Sequence, residues 1–466
     1  MARKRKLIKD VQIVDVAEDG KCVGRVEDGM VVFVKGVVPG DVVDVKITKK
    51  KKNYMEGQPV NFSKKSEIRV ESFCEHFGTC GGCKWQHLEY SQQLVYKQKV
   101  VVDAMERIAR VPIPETIPIL PSKETKYYRN KLEFTFTSDR WLTTEEIMTE
   151  IVYERRGTGF HLPGRFDKVL DLNHCYLQKD PSNDIRVGLK EFAIKNDFDF
   201  FDLYKNEGFL RNLIIRTANT GDLMLILQFF VDDEEKIKKT LDYLIENFPQ
   251  ITSLNYVINS KVNDVISDLN IICAHGKPYI EEEMEGLKFR VGPKSFYQTN
   301  SEQAYELYKI TRDFAKLSKE DVVYDLYTGT GTIALFVARD VKEVVGLEYV
   351  HGAIEDAKVN AETNGIENSR FYAGDIRYLL DEKFIKANKE PDVVITDPPR
   401  AGMHPDVIKT LLRTGAKRIV YVSCNPSTQA RDIAMLNEKY ELKRIQPVDM
   451  FPHTHHVENV ALLEKR

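Results

Sequence analysis

The chain has 466 residues, 42% of them hydrophobic and 30% charged: the balance of a globular protein, and too long for one core at ~100–200 residues per domain. No stretch approaches the ~20 apolar residues of a membrane span, and the basic start Met1–Lys6 runs into Leu7-Ile8-Lys9-Asp10 with no apolar segment behind it, so neither a membrane protein nor a secretory leader is expected and the location is read as cytoplasmic. The net charge of −3 hides an asymmetry, +6 on residues 1–65 and −9 on the rest, which suggests that the first part of the chain meets a polyanion.

Residues 7–62 read as short strands broken by glycine turns. Val11–Val16, Met30–Val34 and Val42–Val45 are rich in β-branched residues. Five such strands in about 60 residues fit a small closed barrel of OB type, a common nucleic-acid platform. The lysine block Lys49–Lys52 falls at a loop or strand end. A helix is expected over Tyr90–Ala109. Residues 127–290 read as mixed α+β, with strands around Leu132-x-Phe134-x-Phe136 and Leu223–Val231 and an amphipathic helix over Glu234–Asn247. From about residue 302 helices alternate with short apolar strands: Val322–Leu326, Val344–Leu347, Phe371–Ala373, Val393–Thr396 and Ile419–Val422. That alternation predicts a doubly wound, Rossmann-like parallel sheet.

The turn Asp325-Leu326-Tyr327-Thr328-Gly329-Thr330-Gly331-Thr332 follows a strand and opens a helix. Glycines there let the backbone approach a ligand, and the helix start offers free N–H groups. Glu348 ends the next strand, where a carboxylate holds ribose hydroxyls. Asp375 ends the third, where it could face an adenine or simply cap a helix. Asp397, in Asp397-Pro398-Pro399-Arg400, ends the fourth. Four acids at successive strand ends lie along one crevice. This succession resembles the class I S-adenosylmethionine-dependent methyltransferases.

The fifth strand ends in Ser423-Cys424-Asn425-Pro426. A lone cysteine is more often core filler, but this one falls in the presumed cofactor crevice, on a turn that exposes it. A thiolate there has a use in pyrimidine chemistry. Added to carbon 6 of uracil, it makes the ring enolate-like, so that carbon 5 can take a methyl group; a base then removes the carbon-5 proton and the thiol leaves. Asp397 is placed to orient the pyrimidine. Glu458, in His455-His456-Val457-Glu458, is a candidate base or a plain surface charge. His453, His455 and His456 match no zinc spacing and are read as packing or orienting groups.

The segments Ser295–Asn300, Asp325–Gly331, Asp397–Arg400, Ser423–Pro426 and His456–Glu458, in this order, resemble the motifs of the RNA (uracil-5-)-methyltransferase family. The resemblance implies Cys424 as nucleophile and Glu458 as general base. It also implies Gln298, Tyr327, Glu348 and Asp397 as S-adenosylmethionine-binding positions, beside Gly329 and Asp375 of the crevice.

Seven cysteines in a cytosolic chain are sought as ligands, nucleophiles or core rather than disulfides. Cys74-x5-Cys80-x2-Cys83 lies in a glycine-rich turn and needs a fourth ligand. Cys175 follows polar residues, whereas Cys22 and Cys273 sit in strand-like surroundings and read as core. Four thiolates fit zinc or a [4Fe–4S] cluster; the absence of paired CxxC knuckles favours iron–sulfur. The arrangement resembles the 23S ribosomal RNA branch of the family, which also carries an N-terminal TRAM barrel, and so implies a ribosomal RNA partner whose target uridine is flipped out. Phe77, Lys84, Trp85 and Arg129 are expected to contact RNA or, for Trp85, to shield the cluster. Three domains are expected, 1–65, 66–285 and 286–466, in a monomer, with the helical stretch 88–120 packing on the last. The competing readings are a tRNA uracil-5 enzyme and a non-catalytic RNA-binding ribosome-assembly factor.

Overall fold

The structure is a computed structural model and describes residues 6–17, 19–26, 29–114 and 116–466; Met1–Arg5 of the basic start lie outside it. Strands β1 (Leu7–Val16), β2 (Cys22–Arg25), β3 (Val31–Val34), β4 (Val42–Lys50) and β5 (Tyr54–Lys64) close into a barrel in the order β1-β2-β3-β5-β4. Val11, Ile13, Val32, Val34, Val43 and Val45 alternate inward to fill it, as period-2 residues on a closed sheet must. Trp85 joins that core, 2% exposed, and donates its Nε1 to the Gly20 carbonyl at 3.1 Å. It therefore ties the barrel to the rest of the chain, which corrects the expectation that it stacks on RNA or covers a cluster.

Helix α1 (Tyr90–Ala104) continues into a π-helical turn over Met105–Ala109. Beyond it, Thr116 and Leu120 bridge to Ile445 and Val448. A central sheet follows, ordered β12-β11-β10-β9-β6-β7-β8. In chain order its elements are β6 (Lys131–Thr137), α2 (Thr144–Ile147), β7 (Gly157–Leu162), β8 (Arg165–Asp171), α3 (Ser182–Lys195), β9 (Leu210–Thr217), β10 (Leu223–Phe229), α4 (Glu234–Asn247), β11 (Ser253–Ile258) and β12 (Ile272–Gly276). Helix α4 buries Ile237, Leu241 and Leu244, the stripe its periodicity predicts. Cys273 is exposed, not core: β12 is an edge strand, solvent-facing along its whole length. Cys22 is buried as expected, its thiol 2.9 Å from the Val37 carbonyl.

The hairpin β13 (Ile280–Met284) and β14 (Leu287–Val291) packs into the core of the last sheet. That sheet is built from α5 (Ser301–Ala315), β15 (Val322–Leu326), α6 (Thr332–Ala338), β16 (Glu343–Glu348), α7 (His351–Thr363), β17 (Ser369–Ala373), α8 (Ile376–Leu379), α9 (Glu382–Asn388), β18 (Val393–Thr396), α10 (Pro405–Leu411), β19 (Arg418–Ser423), α11 (Pro426–Leu436), β20 (Tyr440–Val448) and β21 (Glu458–Lys465). Its order is β17-β16-β15-β18-β19-β21-β20. The first five strands are parallel, as the alternation of helix and strand predicts. The last two are antiparallel: β20 leaves a gap beside β19, and β21 runs back into it. The segment 101–111 buries Val101, Ala104, Met105 and Ala109 in one apolar cluster with Ile433 and Leu436 of α11. Among the described residues, no helix is long and apolar enough to cross a membrane.

Candidate active site

Parallel pairing brings the strand ends together. Leu326 pairs with Leu347 on one side and Thr396 on the other, and Glu348 pairs with Ala373. Asp325, Glu348, Asp375 and Asp397 therefore sit at the carboxyl ends of β15, β16, β17 and β18, where open α/β sheets take their ligands. The glycine-rich turn reverses the chain with Tyr327 at φ 65°, Gly329 at φ 55° and Gly331 at φ 79°. Nothing lies within 4 Å of where a Cβ on Gly329 would stand, so the backbone faces open space.

The acids differ in what they hold. Asp325 is 1% exposed; Oδ2 accepts from the Thr328 hydroxyl at 2.5 Å, while buried Oδ1 has no partner. Burial, opposed by that hydrogen bond and reinforced by Asp397, pushes its carboxyl up to about 7. Asp397 is likewise pushed to about 7 by burial. Glu348 accepts from the Gly329 and Val350 amides at 3.2 and 2.9 Å, which aims it across the turn. Asp375 caps α8 through the Arg377 amide and is paired with the Arg377 guanidinium. Its carboxylate is committed to the helix start, the alternative weighed above.

The thiol lies at the other end of the row. The antiparallel register pairs Ser423 with Asn459, so Cys424 and Glu458 are the next positions across from each other. Glu458 is 5% exposed, and burial followed by the nearby Asp397 raises its carboxyl to about 8 against the pull of Arg400. Burial, then Glu458 and Asp397, raises the Cys424 thiol to about 11, while Arg400 works the other way. The crevice thus holds the carboxyls of Asp325, Glu348, Asp397 and Glu458 and a thiol, with the exposed Arg400 as a cation beside them. The loop 292–300 closes one side: Asn130 donates Nδ2 to the Gln298 carbonyl at 2.8 Å, and buried Arg216 reaches the Gly292 and Ser295 carbonyls at 2.8 and 2.9 Å. Phe296, on the same loop, is 69% exposed.

Residues 273–466 match the family described as tRNA (uracil-5-)-methyltransferase, and residues 5–60 match the TRAM domain. An uncharacterized RNA methyltransferase of Bacteroides thetaiotaomicron is 55% identical over 97% of this chain and 100% of its own length. One of Porphyromonas gingivalis is 53% identical over 97% and 99%. Among solved structures, a Pyrococcus abyssi tRNA (uracil-54, C5)-methyltransferase in complex with S-adenosyl-L-homocysteine is 29% identical with a TM-score of 0.75, covering 98% of this chain and 100% of that one. The chain belongs to the RNA (uracil-5-)-methyltransferase family.

An RNA (uracil-5-)-methyltransferase uses S-adenosylmethionine, and the crevice fits that cationic donor: an orphaned carboxylate oxygen on Asp325 and a bare glycine turn. One residue of this methyltransferase site was not legible in the sequence. Tyr308 of α5 is buried, bonds through its hydroxyl to Gln298, and lies within electrostatic reach of Asp325, Asp397 and Glu458. In sequence it is one more apolar-face residue of an amphipathic helix, and only the packing of α5 across the sheet singles it out.

The four cysteines Cys74, Cys80, Cys83 and Cys175 of the methyltransferase line one cavity with Phe77, Phe160 and Leu172. The Gly82 amide points at Cys80 Sγ from 3.4 Å. Buried Arg186 donates to the Leu172 and Asn173 carbonyls alongside. Among the described residues, no group of three or more Cys, His, Asp or Glu side chains is placed to hold a metal ion. Arg129 lies over the Phe451 ring at 5.4 Å, and Lys84 donates to the Asp19 carbonyl at 3.2 Å, so both already serve internal contacts. His453, His455 and His456 are packed: the last two rings stand 4.0 Å apart, and His453 engages Gln93.

Proposed function

We propose that this methyltransferase forms 5-methyluridine with Cys424 as nucleophile and Glu458 as general base. The observation that carries the proposal is the cross-strand placement of a thiol opposite a buried, proton-holding carboxyl. The Cys424 thiol gives up its proton to solvent, its sulfur bonds to carbon 6, and the carbon 5–carbon 6 electron pair moves onto the ring as an enolate. S-adenosylmethionine, when bound, supplies the methyl group that carbon 5 takes. Glu458 then accepts the carbon-5 proton, the double bond returns, and the sulfur–carbon bond breaks to release the thiolate. Asp397, between the two ends of the crevice, orients the uracil. Gln298, Tyr327, Gly329, Glu348 and Asp397 hold the cofactor, with Glu348 on the ribose and Asp325 beside the cationic sulfur end; Asp375, tied to Arg377, contributes only at the rim. The exposed Phe296 offers a flipped base a stacking surface, an interaction of about 1–3 kcal/mol.

For the substrate we favour ribosomal RNA, on the resemblance of the barrel and thiol cavity to that branch. The Pyrococcus abyssi neighbour, a tRNA (uracil-54, C5)-methyltransferase, favours the tRNA reading. Label transfer from S-adenosylmethionine to undermodified ribosomal RNA and to tRNA, followed by nucleoside analysis, separates the two. 5-Methyluridine in ribosomal RNA alone supports the first; label in tRNA alone overturns it. Label in neither, from folded protein, returns the non-catalytic reading.

We also propose a [4Fe–4S] cluster on Cys74, Cys80, Cys83 and Cys175. A zinc ribbon pairs CxxC knuckles, whereas here the fourth cysteine, Cys175, is single and distant in the sequence. A cluster spreads its ligands, and Arg186 offsets its negative charge. The reaction itself needs no electrons, so the role would be structural. Iron and sulfide analysis of anaerobically purified protein tests it; stoichiometric zinc without sulfide would overturn it.

A further inference from the structure

The loop from Asp449 to Val457 joins β20 to β21 and delivers Glu458 to the crevice. It is held by one face of α1, some 350 positions earlier in the chain. Lys97 is fully buried, with Nζ 2.5 Å from Asp449 Oδ1 and 3.0 Å from the Phe451 carbonyl. Tyr90 donates its hydroxyl to Asp449 Oδ2 at 2.8 Å and accepts the Ser122 amide at 2.8 Å. Gln93, also buried, accepts the His453 amide at 2.9 Å. Tyr90, Gln93 and Lys97 lie at i, i+3 and i+7, one stripe of the helix. A buried ion pair is costly, and apolar residues of the same size often serve stability as well or better. A hydrogen-bonded ion pair is directional, and here its partners are the first residues of the loop.

We propose that Lys97, paired with Asp449, is a positioning residue for proton removal: it sets the 449–457 loop so that Glu458 meets carbon 5 of the bound uracil. The inference rests on Glu458 being the base. Cys424 is borne by β19 and α11 rather than by this loop, so formation of the sulfur–carbon 6 bond and transfer of the methyl group do not depend on Lys97. Resolution of the adduct does, because the sulfur leaves only when the carbon-5 proton is taken.

The test is a denaturing gel of the full-length enzyme with labelled undermodified RNA and S-adenosylmethionine, comparing wild type, Glu458→Gln and Lys97→Met. Lys97→Met is expected to accumulate covalent protein–RNA complex, to lose turnover by about tenfold or more, within the range a misplaced base allows, and to bind S-adenosylhomocysteine as wild type does. Wild-type turnover in folded Lys97→Met overturns the proposal, as does lost turnover with no complex. If Glu458→Gln itself accumulates none, the reading of the base has failed; if it does and Lys97→Met does not, only the positioning role has. Should Lys97→Met melt below the assay temperature, Tyr90→Phe decides. It removes one hydroxyl from the same clamp, and either accumulates complex or, by turning over normally, overturns the proposal.

Discussion

Cys424 and Glu458 stand opposite each other one step beyond the Ser423–Asn459 pair, at the mouth of the antiparallel contact between β19 and β21. Both groups are held in their protonated forms at neutral pH, the thiol pushed to about 11 and the carboxyl to about 8, chiefly by burial. The resting pair is therefore neutral, and Glu458, as the proposed base, must lose a proton before it can accept one.

That state fixes a pH dependence. Below about 8 Glu458 holds its proton in the folded enzyme, so resolution of the RNA adduct is expected to quicken up to tenfold per pH unit from 6 to 8 and to level off above. Single-turnover kinetics across pH 6–9.5 read this directly; a rate that falls with rising pH would contradict it. Stability runs the other way. The folded-state carboxyl is raised above its unfolded value, so its contribution is present at low pH and is lost as pH rises through about 8.

Glu458→Gln keeps the shape of the side chain and removes its ability to take a proton. Turnover is expected to fall by about 10²–10⁴, with a covalent RNA complex persisting after the methyl group has been transferred. Cys424→Ala is expected to abolish both turnover and complex while leaving S-adenosylhomocysteine binding intact. Gel analysis under denaturing conditions and filter binding measure the two effects separately.

Cofactor binding should release protons. Asp325 and Asp397 are both held near 7 by burial, and a cationic ligand favours their ionised forms. Affinity for S-adenosylmethionine is expected to tighten as pH rises through about 7, up to tenfold per unit for one proton released. Calorimetry in buffers of different ionisation enthalpy counts the protons; proton uptake on binding would contradict the assignment of these acids to the donor.

Gly20, at φ 79°, packs against His455, and a Cβ there would lie 2.8 Å from His455 Cβ. Gly20→Ala is expected to cost about 1–3 kcal/mol through backbone strain and displacement of that contact. It should also slow turnover, because His455 lies three residues from Glu458. A thermal melt paired with the methyl-transfer assay tests both, and an unchanged melt would contradict the docking of barrel on loop.

What the sequence made legible were features whose chemistry is local. The glycine turn after β15, the acid closing each parallel strand and the cysteine closing β19 are each readable from a few neighbouring residues. Glu458 was legible only through the family motif, since nothing beside it distinguishes a base from a surface charge; the register of β21 against β19 sets it, buried, across from Cys424. Lys97, Tyr308 and Trp85 were not legible in their roles. Each acts on a partner far along the chain, Lys97 on Asp449 and Trp85 on Gly20, and no periodicity encodes such a pairing. Cys273 misled because a β-branched run predicts a strand but not whether that strand lies at the edge of its sheet.

Release of tritium from RNA carrying [5-³H]uridine, counted against methyl groups transferred from labelled S-adenosylmethionine, tests the central claim most directly. The account predicts one tritium released for each methyl group transferred by the wild-type enzyme and none by Cys424→Ala. Methyl transfer without tritium release would place the methyl group elsewhere than carbon 5 and contradict the adduct mechanism.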